Sequence, residues 1–256
     1  MYRVFIANSF SYEAQYRADT WIKLLTNFLW VGMLLLTIEI VFQFTSGLGG
    51  WSKEQVYLMT VFWIMADELF VAFFSPGLSN LSTTISQGDL DVFLTKPVSA
   101  LFLVSCKLFL MRAFYRFVTQ LLILGFLVYQ YDFALSWWHA LVTGALLIIA
   151  VSVDYSRVLI ANIFAFWFER IENVNDAIGM ISGIGRYPLD IFPRTIKILT
   201  FTLVPIAFSA YVPTATLTGK WPWYAIAYAF IFAAFLFTCA VLFWNYAVRR
   251  YSSASS

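Results

Sequence analysis

The sequence predicts an all-α polytopic membrane protein with six transmembrane helices, and three observations carry that prediction. Of its 256 residues, 61% are apolar and only 12% are charged, with a mean hydropathy of +0.78. Soluble domains sit near about 45–50% and about 25%, and a chain of this length cannot enclose so much apolar surface in one water-soluble core. Second, apolar runs of the ~20 residues that cross a bilayer core recur along the chain. Third, aromatic residues make up 20% of the total, and tryptophans mark alternate run boundaries at Trp21, Trp51, Trp137, Trp138, Trp167, Trp221, Trp223 and Trp244, as rings at headgroup depth do. Residues 1–256 read as a single transmembrane domain.

In chain order, residues 1–20 mix Val4, Phe5, Ile6, Phe10, Tyr12 and Tyr16 with Glu13, Arg17 and Asp19, the pattern of an amphipathic helix lying at the membrane surface. This polar stretch is long for a signal-peptide head and no small-residue cleavage site follows, so it reads as retained. Leu24–Phe44 is a first span, closed by the glycine-rich 45–50. Val56–Phe74 is a second, with Asp67 and Glu68 near its middle, closed by Ser75-Pro76-Gly77. Residues 78–100 are polar, with Ile85, Leu90, Phe93 and Leu94 at helical spacing and Pro97 as terminator; they predict a short amphipathic helix in water or at the interface. A third span follows at 113–131, with Lys107, Arg112 and Arg116 leading into it, then a Trp-rich turn at 132–138. A helix over 139–168 would be about 44 Å long at ~1.5 Å per residue, so it tilts, breaks or protrudes from a ~30 Å core. Residues 169–176 are a charged loop, and Trp223–Val248 is the last span.

Residues 177–221 admit two readings, because Pro188, Pro193, Pro205 and Pro213 and Gly179, Gly183 and Gly185 interrupt them. One places a short span at 174–187, with broken, re-entrant helices after it. The other places the span at 196–212. Both give six crossings with both termini on one side. Lys and Arg placement puts that side inside: Arg3, Arg17, Lys23, Lys96, Lys107, Arg112, Arg116, Arg170, Arg249 and Arg250 fall there, against Lys53 and Lys220 outside.

No catalytic constellation is evident. His139 is the only histidine and has no acidic or cysteine cluster beside it. Cys106 and Cys239 lie apart in apolar stretches, with no disulfide framework or metal spacing. Gly219-Lys220-Trp221 lacks the upstream glycine and following hydroxyl of a phosphate-binding loop, and a net charge of +2 gives no footprint for nucleic acid. Asp67, Glu68, Asp154 and Arg157 are intramembrane charges, each costing about 2.5–3.5 kcal/mol at a helix centre. They either bridge helices, with Asp154 and Arg157 three residues apart on one face, or wall a translocation path. Used for ions or protons, they would make the chain a self-contained carrier or channel. Gly179-x-x-x-Gly183 allows close helix approach, with a gating hinge as the other use.

The strongest local signal is Ile85-Ser86-Gln87-Gly88-Asp89-Leu90-Asp91-Val92-Phe93-Leu94-Thr95-Lys96-Pro97-Val98. By physics alone, such a helix is either a passive interfacial element or a handle by which a soluble motor moves the bundle. The stretch resembles the Gly-acidic-Leu-Asp…Leu…Arg/Lys-Pro signature of bacterial ABC type-2 permeases. The resemblance extends to Tyr16-Arg17-Ala18-Asp19, Tyr187-Pro188-Leu189-Asp190-Ile191-Phe192-Pro193, Pro205-Ile206-Ala207-Phe208 with Tyr211-Val212-Pro213, and Arg249-Arg250-Tyr251-Ser252-Ser253-Ala254-Ser255, in that order along nearly the whole chain. It implies an exporter subunit in the bacterial inner membrane with both termini cytoplasmic. This subunit would pair with a second permease copy, identical or related, and with two copies of an ABC ATPase that bind ATP and Mg. It also implies that Gln87, Gly88, Asp89, Leu90, Asp91, Leu94, Lys96 and Pro97 couple to that ATPase. Residues 187–221, with Tyr187, Pro188, Pro193, Pro205 and Pro213, would form an extracellular re-entrant gate, over a path in which Asp67, Glu68, Asp154 and Arg157 take part.

Overall fold

The computed structural model describes residues 17–131, 137–168, 174–222 and 224–251. The expected surface helix at 1–20 therefore lies almost wholly outside the described residues, as do most of the 132–138 turn and of the charged loop at 169–176.

Among the described residues, five helices are long and apolar enough to cross a membrane. They are α1 (Arg17–Phe44), α2 (Lys53–Phe73), α7 (Met111–Gln130), α8 (Trp137–Ile163, prolonged by a 3-10 turn at Phe164–Phe166) and α12 (Ala225–Arg249). Between them lie the shorter α3 (Ser75–Ser79), α4 (Leu81–Ser86), α5 (Leu90–Leu94), α6 (Ala100–Cys106), α9 (Val174–Ser182), α10 (Arg194–Thr202) and α11 (Tyr211–Leu217). The architecture is all-α and polytopic.

α2 is the central helix. Of its most apolar window 72% is buried, against 17% for α1, α7 and α12, because α2 packs on α1, α7 and α8 at once. The backbone N–H of Ser52, just before α2, donates to Gln55 Oε1 at 3.2 Å, satisfying one of the donors that a helix start orphans. α8 and α12 lie side by side through a small-residue seam: Ala229, Ala233, Ala240 and Ala247 are all buried, which lets the backbones approach closely.

Two apolar clusters define the ends of the bundle. One gathers Trp51, Val56, Met59, Leu189, Phe208, Tyr211 and Ala229. The other gathers Phe70, Leu78, Leu81, Leu90, Tyr155, Leu159, Trp244 and Ala247. These are called below the Trp51 end and the Leu90 end. α8 and α12 both run from the first to the second, pairing Tyr155 with Phe237 and Phe166 with Trp244. Between them the chain must return, and it does so in the 13 residues from α9 through the 3-10 turn Gly183–Arg186. Ile178 packs in the Leu90 cluster and Ile184 in the Trp51 cluster.

Residues 187–221 then form a hairpin that dips from the Trp51 end and comes back. α10 and the following Ile206–Leu217 segment meet at 82°, too sharp for one straight crossing. At the tip, Ser209 Oγ donates to Asp154 at half depth, and Phe208 stacks on Phe232 of α12 with centroids 4.5 Å apart.

Three readings change in detail. Residues 78–100 are not one helix but α3 to α6 in succession, with Gly88 at φ 77° in the turn that separates α4 from α5. Asp67 and Glu68 lie past the middle of α2, because that helix starts at Lys53 and ends at Phe73. Gly179 and Gly183 meet nothing within 4 Å of where a Cβ would stand, so the close packing they permit is not made within the described chain. Gly185 does make such an approach, with Ile206 O 3.3 Å from its Cβ position.

Candidate functional site

At half depth, a polar seam joins α8, α9 and the hairpin tip. Arg157 Nη2 donates to Asp154 Oδ1 at 2.8 Å, and Arg157 Nη1 donates to Ser182 Oγ at 2.7 Å. Ser209 Oγ lies 3.1 and 3.0 Å from the two Asp154 oxygens. Their i, i+3 spacing on one helix face makes the ion pair possible, and Ser182 and Ser209 bring α9 and the hairpin to it. Asp67 lies near enough to feel the charges of Asp154 and Arg157. Glu68 is buried and forms a separate ion pair with Arg116 of α7, Nη2 to Oε2 at 2.9 Å. Three of the four charges thus fall into two separate pairings, Glu68 with Arg116 tying α2 to α7 and Asp154 with Arg157 tying α8 to its neighbours, while Asp67 belongs to neither.

At the Leu90 end, α3 to α6 make a compact cap. Gly77 is buried so closely under α6 that a Cβ there would stand 2.1 Å from the Val104 carbonyl oxygen. Leu90 is fully buried in the cluster with Leu78, Leu81 and Ile85, whereas Gln87, Asp89, Val92, Leu94, Lys96 and Pro97 face outward. Asp91 is half-buried. The motif therefore divides: Leu90 is an anchor, and the rest is a mixed charged and apolar surface. Lys96 and Lys107 converge on the ring of Phe93, 5.3 and 5.5 Å from its centroid. Burial pushes the Lys107 ammonium below the usual lysine range, against the pull of Asp89.

At the Trp51 end, Asp190 is the hub of a clamp that the sequence reading did not single out. It accepts from Trp51 Nε1 at 2.7 Å and from Tyr211 OH at 2.8 Å, and it pairs with Lys197. Burial opposes its ionisation, but the bonds from Lys197, Trp51 and Tyr211 outweigh that and hold the carboxyl below its usual range. Lys220 closes the clamp, with Nζ 3.9 Å from the Trp51 ring centroid and 2.5 Å from Gly50 O. Gly49, at φ 61°, would place a Cβ 3.1 Å from Asp190. The available signal was an acid inside a Tyr-Pro-Leu-Asp run opposite a boundary tryptophan, but their pairing spans 139 residues.

The hairpin's prolines all stand at helix starts. Pro188 precedes the 3-10 turn Leu189–Ile191, Pro193 precedes α10, Pro205 precedes the turn Ile206–Phe208, and Pro213 lies in the first turn of α11. These are positions where a missing N–H is harmless. Pro188, Pro205 and Pro213 are buried; Pro193 and Tyr187 are exposed. A cavity of ≈ 550 Å³ opens beside the tip, walled by Arg157, Ile178, Ile181, Leu203 and Pro205. Among the described residues, no group of histidines, cysteines and acids could hold a metal.

Comparison with known proteins returns one family model, described as ABC-2 family transporter protein, which matches residues 28–255. No curated protein and no solved structure matches the chain.

Proposed function

The chain belongs to the ABC-2 transporter family, and from that premise we propose that it is the permease of an ATP-driven exporter. As a permease subunit it is a multi-pass membrane protein whose partner is an ABC ATPase. In the proposed reading the ATPase, in two copies, binds ATP and Mg, and this chain performs no chemistry of its own. A second permease, identical or related, completes the membrane unit in the bacterial inner membrane, with both termini cytoplasmic. ATP-driven closure of the motors would push on the cap at the Leu90 end, and the paired permeases would open outward past the hairpin at 187–221. The aromatic and apolar walls suit a hydrophobic or amphiphilic cargo.

The observation that carries this reading is the cap itself. Leu90 fixes the loop-helix into the α2–α8 core while Asp89, Val92, Leu94 and Lys96 stay exposed beside it. A rigidly anchored surface with apolar and charged groups interleaved is suited to receive force, because a push on it moves the helices behind it. The competing carrier reading loses support, since Asp154 and Glu68 are held in ion pairs within the bundle.

Replacing Val92 and Leu94 by Glu leaves the anchored face untouched. We expect the variant to insert and elute normally but to lose the ATPase on co-purification, with export falling in step. Retention of the ATPase at wild-type levels would refute the assignment of this surface.

A further inference from the structure

A continuous apolar groove runs down the outside of the bundle along α8, beside α12 in one half and beside α2 and α6 in the other. Its part nearer the Trp51 end, ≈ 700 Å³, begins at Trp138 and passes between Ala145 and Phe230. The part nearer the Leu90 end, ≈ 680 Å³, continues past Tyr155 to Phe74, Phe102 and Cys106. Both parts are lined by Ile148, Ser152 and Phe237, so they meet at one waist. Each has the size of a ligand site, for which ~300–1,000 Å³ is usual. From Trp138 to Tyr155 the groove follows α8 for about 26 Å at ~1.5 Å per residue, close to the ~30 Å thickness of a bilayer core. It is open sideways: Ile148 is 73% exposed and Phe237 43%.

The chemistry at its two ends differs. The upper limit is a tryptophan pair, Trp137 and Trp138, as found at headgroup depth. The lower limit is α6, which Lys96 and Lys107 bracket. Those two ammonium groups share the Phe93 ring, and among the described residues neither makes an ion pair. An apolar slot of one leaflet's depth, ending at a helix that two lysines outside any ion pair flank in sequence, complements one kind of molecule. We propose that the lower half of this groove is a binding site for an anionic phospholipid, its acyl chain lying between α8 and the wall made by α2 and α6 as far as Ile148 and its phosphate held by Lys107 and Lys96. Basic groups beside a helix crevice are a recognised arrangement for such headgroups. A lipid held there would brace α6, and with it the cap, against α8.

Native mass spectrometry of the purified full chain, given equal amounts of phosphatidylglycerol and phosphatidylcholine, tests this. We expect wild type to retain phosphatidylglycerol preferentially. Lys107→Gln should lower that preference about fivefold, and Lys96→Gln with it about fivefold again, the fold-change that ~1 kcal/mol per surface cation gives. Ile148→Trp, at an exposed position, should fill the waist and reduce retention of both lipids. If that variant elutes as aggregate, Ser152→Phe closes the same waist and decides in its place. Equal retention of the two lipids by wild type would overturn the proposal. So would unchanged retention in the waist-filling variant, or loss of self-association instead of loss of lipid, which would make the groove a seat for a second copy.

Discussion

Gly77 shows how much of this protein's stability hangs on single atoms. Its Cβ position lies 2.1 Å from Val104 O and 2.7 Å from Ser105 O, and neither is the end of a flexible side chain. Gly77→Ala must therefore push α6 away from α3, at the ~1–3 kcal/mol or more that overpacking costs. A clear fall in the melting temperature of the purified protein is expected, and an unchanged one would show that the cap is looser than it looks. The Asp154–Arg157 pair is a second case. Asp154→Asn leaves a buried guanidinium without its counter-charge, a loss of about 3–5 kcal/mol. Asp154→Leu with Arg157→Leu removes both charges and should recover most of the stability. Export assays on that double variant then separate the two uses of the pair, since recovered export means a structural bridge and lost export means a polar path. The pair was legible from spacing alone, but its partners were not. Ser182 and Ser209 reach it from 25 and 55 residues away in sequence, and nothing local in the chain announces that.

Among the elements, the long helices were readable because membrane insertion imposes one rule on every residue of a span. The segments around them obey several rules at once and were read less well. Residues 78–100 have helical spacing, yet glycine at 88 needs only φ 77° to turn one expected helix into two. The hairpin is the more instructive case. Its prolines blurred the fifth crossing in sequence, although each marks a helix start in the structure, and four starts within 26 residues leave no room for a continuous span. What fixes the hairpin in place is the Asp190 clamp, whose carboxylate is held below its usual range despite burial. A carboxyl with a depressed folded value contributes stability that is fully present above the unfolded value, about 3.9, and is lost as pH falls through the lower folded one. The clamp should hold from neutral pH down to about pH 4 and loosen below it. Following tryptophan fluorescence during acidification checks this: Asp190→Asn should remove the acid transition and leave the hairpin looser at every pH. An acid transition of undiminished size in Asp190→Asn would assign the effect to another group.

For the whole molecule the decisive quantity is parity. α8 and α12 descend in the same direction, so the chain crosses between them an odd number of times. α9 with its 3-10 turn supplies one crossing, and a second by α10 and α11 would force α12 to run the opposite way. With α9 as that crossing, the hairpin would enter and leave at the Trp51 end, and Asp19, Gln87 and Arg250 would share the other. In the sequence both readings put the two termini on one side, but charge does not choose which part of 177–221 crosses, because Arg186, Arg194 and Lys197 favour the second reading. That tally counts cations already engaged: Lys197 is occupied by Asp190 and Tyr211, and Arg186 lies 5.0 Å over the Tyr187 ring. Single cysteines in a background with Cys106 and Cys239 replaced by Ser test the arrangement. In intact cells an impermeant maleimide should label Arg194→Cys and Lys220→Cys alike, and should reach Gln87→Cys and Arg250→Cys only after permeabilisation. If Arg194→Cys labelled with Gln87→Cys instead, α10 and α11 would be a crossing span, and the hairpin would be no gate.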